Sequence, residues 1–311
     1  MDQNAKIYVA GHRGLVGSAI VKHLVSLGYR NLILKTRQEL DLIDSLQVDQ
    51  FFQTYKPDYV FDAAAKVGGI HSNNTYGAEF IYENTMIQNN LIHNSWKYGV
   101  KKFLFLGSVC IYPKFAPVPV KESSLLNGLL EPTNEPYAVA KIHGIKMCEA
   151  YYKQYKFPSV CIMPSNLYGP GDNFHDLNGH VIPAMMQKFY KNKTGNVTLW
   201  GDGTPQREFL HSADMASACV FLMQHKDINK AELINVGSGE NISILELSKL
   251  ISKVSSFNGN ITWDKSKPNG TPNRPLDSSK ILDMGWRPKI TLHQGLKETY
   301  EIFEKMQQQG L

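Results

Sequence analysis

The feature that most constrains this chain is a glycine triplet placed directly after a short apolar run. Lys6-Ile7-Tyr8-Val9-Ala10 is rich in β-formers. Gly11, Gly14 and Gly17 follow at a G-x-x-G-x-x-G spacing, with His12, Arg13, Leu15 and Val16 between them. An amphipathic run then extends from Val16 to Leu27. The pattern predicts a strand, a tight turn and a helix. Missing side chains in such a turn let backbone amides and the helix N-terminus approach a pyrophosphate. An ordinary tight turn with close helix packing would carry the same triplet, so the elements around it decide what it means.

Those elements alternate. Leu32-Ile33-Leu34 and Tyr59-Val60-Phe61-Asp62 read as second and third strands, separated by a helix-like stretch ending at Pro57. A long helical stretch from about Phe80 to Tyr98 leads to the strand Phe103-Leu104-Phe105-Leu106. After a Pro-rich loop come a helix from about Tyr137 to Tyr155 and the strand Val160-Cys161-Ile162-Met163. A β-α-β-α-β order predicts an α/β fold, a Rossmann-type doubly wound parallel sheet. Beyond Pro164 the texture changes. Gly, Asn, Asp and Pro cluster between Tyr168 and Gly179 and again between Lys267 and Pro275, which predicts a smaller α/β substrate-binding lobe over the sheet's carboxyl edge. Residues 1–165 are expected to form the dinucleotide-binding domain, with a later segment at about 210–240 returning to it, and residues 166–311 mainly the second lobe.

The end of the second strand separates the two nicotinamide dinucleotides. An acidic residue there would bond the ribose hydroxyls of NAD and repel a 2′-phosphate, but the sequence reads Lys35-Thr36-Arg37. Arg13, inside the glycine turn, offers a second guanidinium to the same phosphate. NADP(H) is therefore the expected cofactor. Downstream, Asp41-Leu42 is placed to address the adenine edge, and Ala63-Ala64-Ala65 leaves room after the third strand.

Composition excludes several other classes. With 311 residues, 42% hydrophobic and 20% charged, the chain is neither disordered nor limited to one small core. Its 33 basic and 28 acidic residues leave a formal +5 that is spread too evenly for a nucleic-acid groove. The four cysteines, Cys110, Cys148, Cys161 and Cys219, show neither metal-binding nor disulfide-scaffold spacing, so no metal is expected and a reducing compartment is. The opening MDQNAKIYVAGHRG lacks a signal-peptide core, and no segment approaches the ~20 apolar residues of a membrane span. A soluble cytoplasmic protein follows as the expectation.

After the fourth strand comes Gly107-Ser108-Val109-Cys110-Ile111-Tyr112, and at the start of the next helix stand Tyr137 and Lys141, four residues apart. That spacing puts phenol and ammonium on one helix face. A nearby ammonium is expected to lower the phenol from its reference near ~10, so that it exchanges a proton with a substrate oxygen that the Ser108 hydroxyl holds. Such a constellation serves carbonyl reduction by hydride.

These motifs resemble the extended short-chain dehydrogenase/reductases that act on nucleotide sugars. Further segments narrow the likeness to those that make GDP-L-fucose: Gly68-Gly69-Ile70, Asn73-Asn74-Thr75-Tyr76, Leu130-Glu131-Pro132-Thr133-Asn134-Glu135-Pro136-Tyr137, Asn166-Leu167-Tyr168-Gly169-Pro170 and Arg207-Glu208-Phe209-Leu210-His211. The resemblance spans nearly the whole chain. It implies GDP-4-dehydro-6-deoxy-D-mannose as substrate, epimerised at C3 and C5 and then reduced at C4. It implies that Cys110 and His180 exchange protons across the sugar ring, with the assignment of acid and base left open. It further implies that Leu106, Gly107, Ser108, Lys141, Pro164, Ser165, Asn166, Leu167 and His180 border the cofactor, that Lys188, Trp200, Arg207 and Asn269 contact the GDP-sugar, and that the chain forms a homodimer. Asn269 departs from the family, which usually carries Asp there.

Two rival readings share the fold. A 4,6-dehydratase of this group typically carries Asp-Glu directly after its Ser/Thr position, where this chain has Val109-Cys110; a 4-epimerase retains NAD through its cycle, against Lys35-Thr36-Arg37. A non-enzymatic Rossmann redox sensor would be expected to lack Tyr137 or Lys141, and both are present.

Overall fold

A computed structural model of the chain describes residues 1–175, 179–267 and 274–309. The glycine turn joins β1 (Ile7–Ala10) to α1 (Leu15–Ser26), and β2 (Leu32–Ile33), α2 (Ser45–Tyr55) and β3 (Tyr59–Asp62) follow. A short α3 (Ile70–Thr75) precedes the long α4 (Gly77–Lys97), β4 (Lys102–Leu106), α5 (Glu135–Tyr155) and β5 (Ser159–Pro164). The second half contains β6 (Asn166–Tyr168), α6 (Val181–Lys191), β7 (Asn196–Trp200), β8 (Gln206–His211), α7 (Ser212–Gln224) and β9 (Glu232–Val236). It closes with β10 (Asn241–Ser243), α8 (Ile244–Val254), β11 (Asn260–Asp264), α9 (Ser279–Asp283) and α10 (Leu292–Gln308).

The main sheet has six strands in the order β2-β1-β3-β4-β5-β9, every neighbour parallel. This is the doubly wound α/β sheet that the alternation predicts. Chain order reverses beside β1, which puts a crevice at the carboxyl ends of β1 and β3. The strands read as nearly continuous apolar runs because both faces are covered. Ile7, Val9, Phe61 and Leu104 pack with α1 and α7, whereas Tyr8, Val60, Phe103 and Phe105 pack with α2, α4 and α5. Each fully buried aromatic or branched side chain contributes roughly 1.5–3 kcal/mol of transfer free energy.

Smaller sheets complete the fold. β8 lies between antiparallel β10 and parallel β6, and β7 pairs in parallel with β11. Their core gathers Met186 and Phe189 of α6, Leu199 of β7, Leu247 of α8 and Phe303 of α10.

Position along α5 depends on one residue. A Cβ on Gly144 would lie 2.5 Å from the Phe105 ring of β4, so only glycine lets the helix approach the strand this closely. One turn earlier on the same helix is Lys141, which is thereby drawn against the end of β4.

Candidate active site

The dinucleotide end is made by backbone packing. Gly11 has φ +73°, and a Cβ there would stand 2.6 Å from the Ala63 carbonyl; a Cβ on Gly17 would stand 2.1 Å from that of Gly11. The first positions of α1 therefore press against the end of β1. Gly14 caps α1 without a side-chain acceptor, and no acidic residue occupies the first turn. The amides and dipole at this helix end are left to favour an anion. Above the turn is a cleft of about 550 Å³ lined by Gly11, His12, Arg13, Gly14, Arg37, Asp41, Leu42 and Ala63–Ala65, among others. Leu15, Val16 and Gly17 form the helix start behind it, with Val16 and Gly17 buried. Shape and charge fit the adenosine and phosphates of NADP(H). Arg37 leans toward Glu83 of α4 at 3.7 Å, and Glu83 also bonds Lys66.

The candidate catalytic residues Ser108, Cys110, Tyr137 and Lys141 gather where β4 and α5 meet. Beyond Leu106 and the buried Gly107, Ser108 opens a 3-10 turn over Val109–Ile111 and accepts the Cys110 amide at 3.3 Å. Its hydroxyl is close enough to the Tyr137 phenol and the Cys110 thiol to oppose the rise of both. Asn134, just before α5, donates Nδ2 to Cys110 Sγ at 3.1 Å. Lys141 is 3% exposed and donates Nζ to the Leu106 carbonyl at 2.9 Å, 5.9 Å from the Tyr137 ring centroid.

The electrostatics correct one sequence expectation. Tyr137 is not lowered by Lys141: burial raises the phenol well above its ordinary value, the Cys110 charge adds to this, and the Ser108 hydrogen bond alone opposes it. The cost of desolvating a phenolate outweighs the field of an ammonium that is itself disfavoured by burial. Burial pushes Lys141 down to about 8, with Asp62 opposing. Burial also raises Cys110, against the Ser108 hydroxyl, Arg274 and Asn134. Tyr137 thus keeps its proton near neutral pH and is suited to deliver it to a carbonyl oxygen.

The remaining predicted residues lie on or beside β5, β6, α6, β7 and β8. Pro164 ends β5; the Ser165 amide donates to the Val236 carbonyl at 3.0 Å, and Asn166 Nδ2 to that of Glu208 at 2.9 Å. Leu167 is half-buried on β6. His180 caps α6 with its side chain 53% exposed, and Nδ1 is 3.9 Å from Asp172, whose carboxyl is 5% exposed. Lys188 of α6 donates to the Thr198 carbonyl at 3.2 Å, beside Trp200, which is 48% exposed and lies under Lys267. Burial and Arg274 both depress Arg207, so two partly desolvated guanidiniums lie near each other. Asn269 lies outside the described residues.

Three residues escaped the sequence reading. Arg274 acts on Cys110 and Arg207 and bonds the Pro113 carbonyl at 3.3 Å. Asn134 was visible only as part of a motif. Asp62 closes the third strand, and its signal was a carboxylate at the end of the apolar run Tyr59-Val60-Phe61. Among the described residues no cluster of three His, Cys, Asp or Glu is placed to hold a metal, and no helix is long and apolar enough to cross a membrane.

A Rossmann sheet, a glycine turn at the dinucleotide crevice and a Ser–Tyr–Lys centre define a nucleotide-dependent carbonyl oxidoreductase, and the chain belongs to the NAD dependent epimerase/dehydratase family, whose profile matches residues 7–237. Among curated relatives it is 56% identical to putative GDP-L-fucose synthase 2 of Arabidopsis thaliana over 306 residues, covering 97% of this chain and 93% of that one. It is 49% identical to GDP-L-fucose synthase of Escherichia coli over 308 residues, 96% of each chain. A solved GDP-L-fucose synthetase from Naegleria fowleri, bound to NADP, superposes with a TM-score of 0.91 at 27% identity, covering 99% of this chain and 96% of that one.

Proposed function

We propose that this chain is a GDP-L-fucose synthase: it epimerises C3 and C5 of GDP-4-dehydro-6-deoxy-α-D-mannose and reduces the C4 ketone with NADPH to give GDP-β-L-fucose. The observation that carries this reading is the Cys110 thiol, held by Asn134 at 3.1 Å and seated beside Ser108 within electrostatic reach of Tyr137. A plain reductase needs Ser, Tyr and Lys alone; the thiol adds a proton-exchanging group beside the carbonyl. Relatives at 49–56% identity named for this activity support the same reading.

The ketone at C4 acidifies the protons on C3 and C5. Cys110 and His180 remove and return those protons from opposite faces of the ring, with the intermediate enolate oxygen held by Ser108 and Tyr137. Once the stereochemistry is inverted, Tyr137 gives its proton to the C4 oxygen. Lys141 supports the phenol from below and holds the nicotinamide ribose. NADPH supplies the hydride, and Gly11–Gly17, Arg13, Arg37, Asp41, Leu42 and the backbone at Leu106–Ser108 and Pro164–Leu167 would hold it. Lys188, Trp200, Arg207 and Asn269 hold the GDP-sugar. In this division residues 1–165, with the segment near 210–240, carry the cofactor, and the rest carries the sugar.

We place the protein in the cytoplasm, where Cys110 stays a thiol, and as a homodimer through α4 and α5. Those helices share an aromatic cluster of His93, Trp96, Tyr151 and Tyr155, with Tyr155 41% exposed. A monomer mass independent of concentration in light scattering would remove the dimer.

The deciding experiment incubates the protein with NADPH and GDP-4-dehydro-6-deoxy-mannose and reads product stereochemistry by NMR. GDP-β-L-fucose is expected. A product changed only at C4 would reduce the assignment to a 4-reductase, and no NADPH oxidation would refute it.

A further inference from the structure

The pairing of β3 with its neighbours places a carboxylate beneath the catalytic centre. Asp62 is the last residue of β3, with Ala10 of β1 and Phe105 of β4 as its register partners. Strand alternation puts it on the same face as Val60, the face that packs with Tyr8, Phe105 and the α5 residues Ile142 and Ile145. Lys141 lies on that helix, 4.8 Å from the Phe105 ring centroid and bonded to the carbonyl of the next residue, Leu106.

Asp62 is 2% exposed. One carboxyl oxygen accepts the Ala64 amide at 3.1 Å; the other is buried and has no hydrogen-bond partner. A turn-forming Asx side chain needs only the first of these bonds, and Asn would make it equally well. An unpaired buried carboxylate oxygen is costly, and a nearby buried ammonium is what compensates it.

We propose that Asp62 is a positioning residue for the reaction: its carboxylate, held on the α5 face of the sheet, keeps Lys141 an ammonium beneath Tyr137. The proposal rests on the reading of Tyr137 and Lys141 as the proton-delivering pair. The titratable groups coupled to Asp62 are Lys141 from α5 and Tyr8 from β1. From α4 the inward-facing Asn84 and Gln88 are neutral, while Glu83 is paired with Lys66. Tyr8 is raised further by the Asp62 charge and stays neutral, so Lys141 is the cation that answers it.

The test reads Lys141 directly in the cofactor-free protein, through the side-chain ¹³Cε resonance of ¹³C-lysine-labelled chain assigned with Lys141→Arg. In the unaltered protein the main step is expected near 8, with a smaller inflection near 6 as Asp62 titrates. In Asp62→Asn the inflection disappears and the main step moves down by about one pH unit or more. Asp62→Glu retains both. The rate of ketone reduction in Asp62→Asn should then fall about five-fold at pH 8 and change little at pH 6.5, following the fraction of Lys141 protonated. A Lys141 step unmoved in Asp62→Asn, or a loss of rate uniform in pH, overturns the proposal. If that variant does not fold, the inflection near 6 in the unaltered protein decides alone, and its absence is a refutation. Coupled titration in a protein that fails to turn over the GDP-sugar would leave the pairing standing and remove the functional reading instead.

Discussion

The two ends of the cleft are built by different means. At the dinucleotide end, backbone presses on backbone: the turn exists because Gly11 and Gly17 carry no Cβ, and the helix that follows leaves its first amides free of side-chain caps. At the other end, side chains come from separate parts of the chain: Ser108 and Cys110 from the loop after β4, Tyr137 and Lys141 from α5, and Arg274, which acts on Cys110 and Arg207, from beyond β11. The first end tolerates no added atom at Gly11 or Gly17, where the obstacle is backbone. The second depends on the chemistry of the side chains gathered there.

The sharpest way to break this contrast is at Cys110. Serine preserves size and the hydrogen bond from Asn134 but its hydroxyl is far less acidic than a thiol. Cys110→Ser should bind NADPH with unchanged affinity and lose epimerisation by roughly 10²–10⁴-fold, the range of a general acid–base group. Deuterium exchange at C3 and C5 of the keto-sugar in D₂O measures it. Full exchange in the variant would show that the thiol is only packing.

Gly17→Ala tests the other end. Its methyl group would enter 2.1 Å from the Gly11 carbonyl, a backbone atom that cannot rotate away. We expect a loss of about 1–3 kcal/mol in stability from the forced shift of α1. NADPH affinity should fall more than about tenfold, while the Ser108–Cys110–Tyr137 centre stays intact. Denaturant melts and fluorescence titration with NADPH read the two effects separately.

The same contrast explains what could be seen from the sequence. The glycine turn, the strand order and the Ser–Tyr–Lys spacing are local or periodic, so they are visible in a linear string. Arg274 joins the site only because the chain, 161 residues further on, returns to Pro113. Asp62 looked like the polar end of an apolar strand, because its meaning comes from which face it shares and which helix covers that face. The direction of the Tyr137 shift is not legible in the sequence for a related reason: spacing puts Lys141 nearby but does not show how deeply both are buried.

Asp62 also carries a stability consequence opposite in sign to its proposed use. Burial raises its carboxyl from 3.8 to about 6, so the folded state binds more protons than the unfolded state between those values. Stability is therefore present below about pH 4 and is lost as pH rises through about 6. A raise of this size corresponds to roughly 3 kcal/mol at most. Asp62→Asn removes the ionisable group, and near pH 7 it should be about 1–3 kcal/mol more stable than the unaltered chain, with the gain shrinking toward pH 4. Urea melts across pH 4–8 measure this. A destabilised Asp62→Asn at pH 7 would mean that the carboxylate is repaid by Lys141 in full.

The smallest expected effect lies at the rim of the dinucleotide end, where one side-chain choice does matter. Arg37, whose side chain is 72% exposed, is drawn to Glu83 at 3.7 Å, and the same carboxylate bonds Lys66. A 2′-phosphate must compete with Glu83 for the guanidinium and approach its negative charge. An exposed pair of this kind is worth about 0.2–1 kcal/mol, so Glu83→Gln should tighten NADPH binding by roughly 1.4- to 5-fold. Lys66 keeps Glu79 as a partner, which limits other change. Binding of NADH, which lacks the phosphate, should be unaffected. Titration with both dinucleotides at low and high salt separates the cases: the NADPH gain should fade as salt screens the charges. An equal gain for NADH would mean that Glu83 shapes the adenosine pocket and leaves phosphate selection to Arg13 and Arg37.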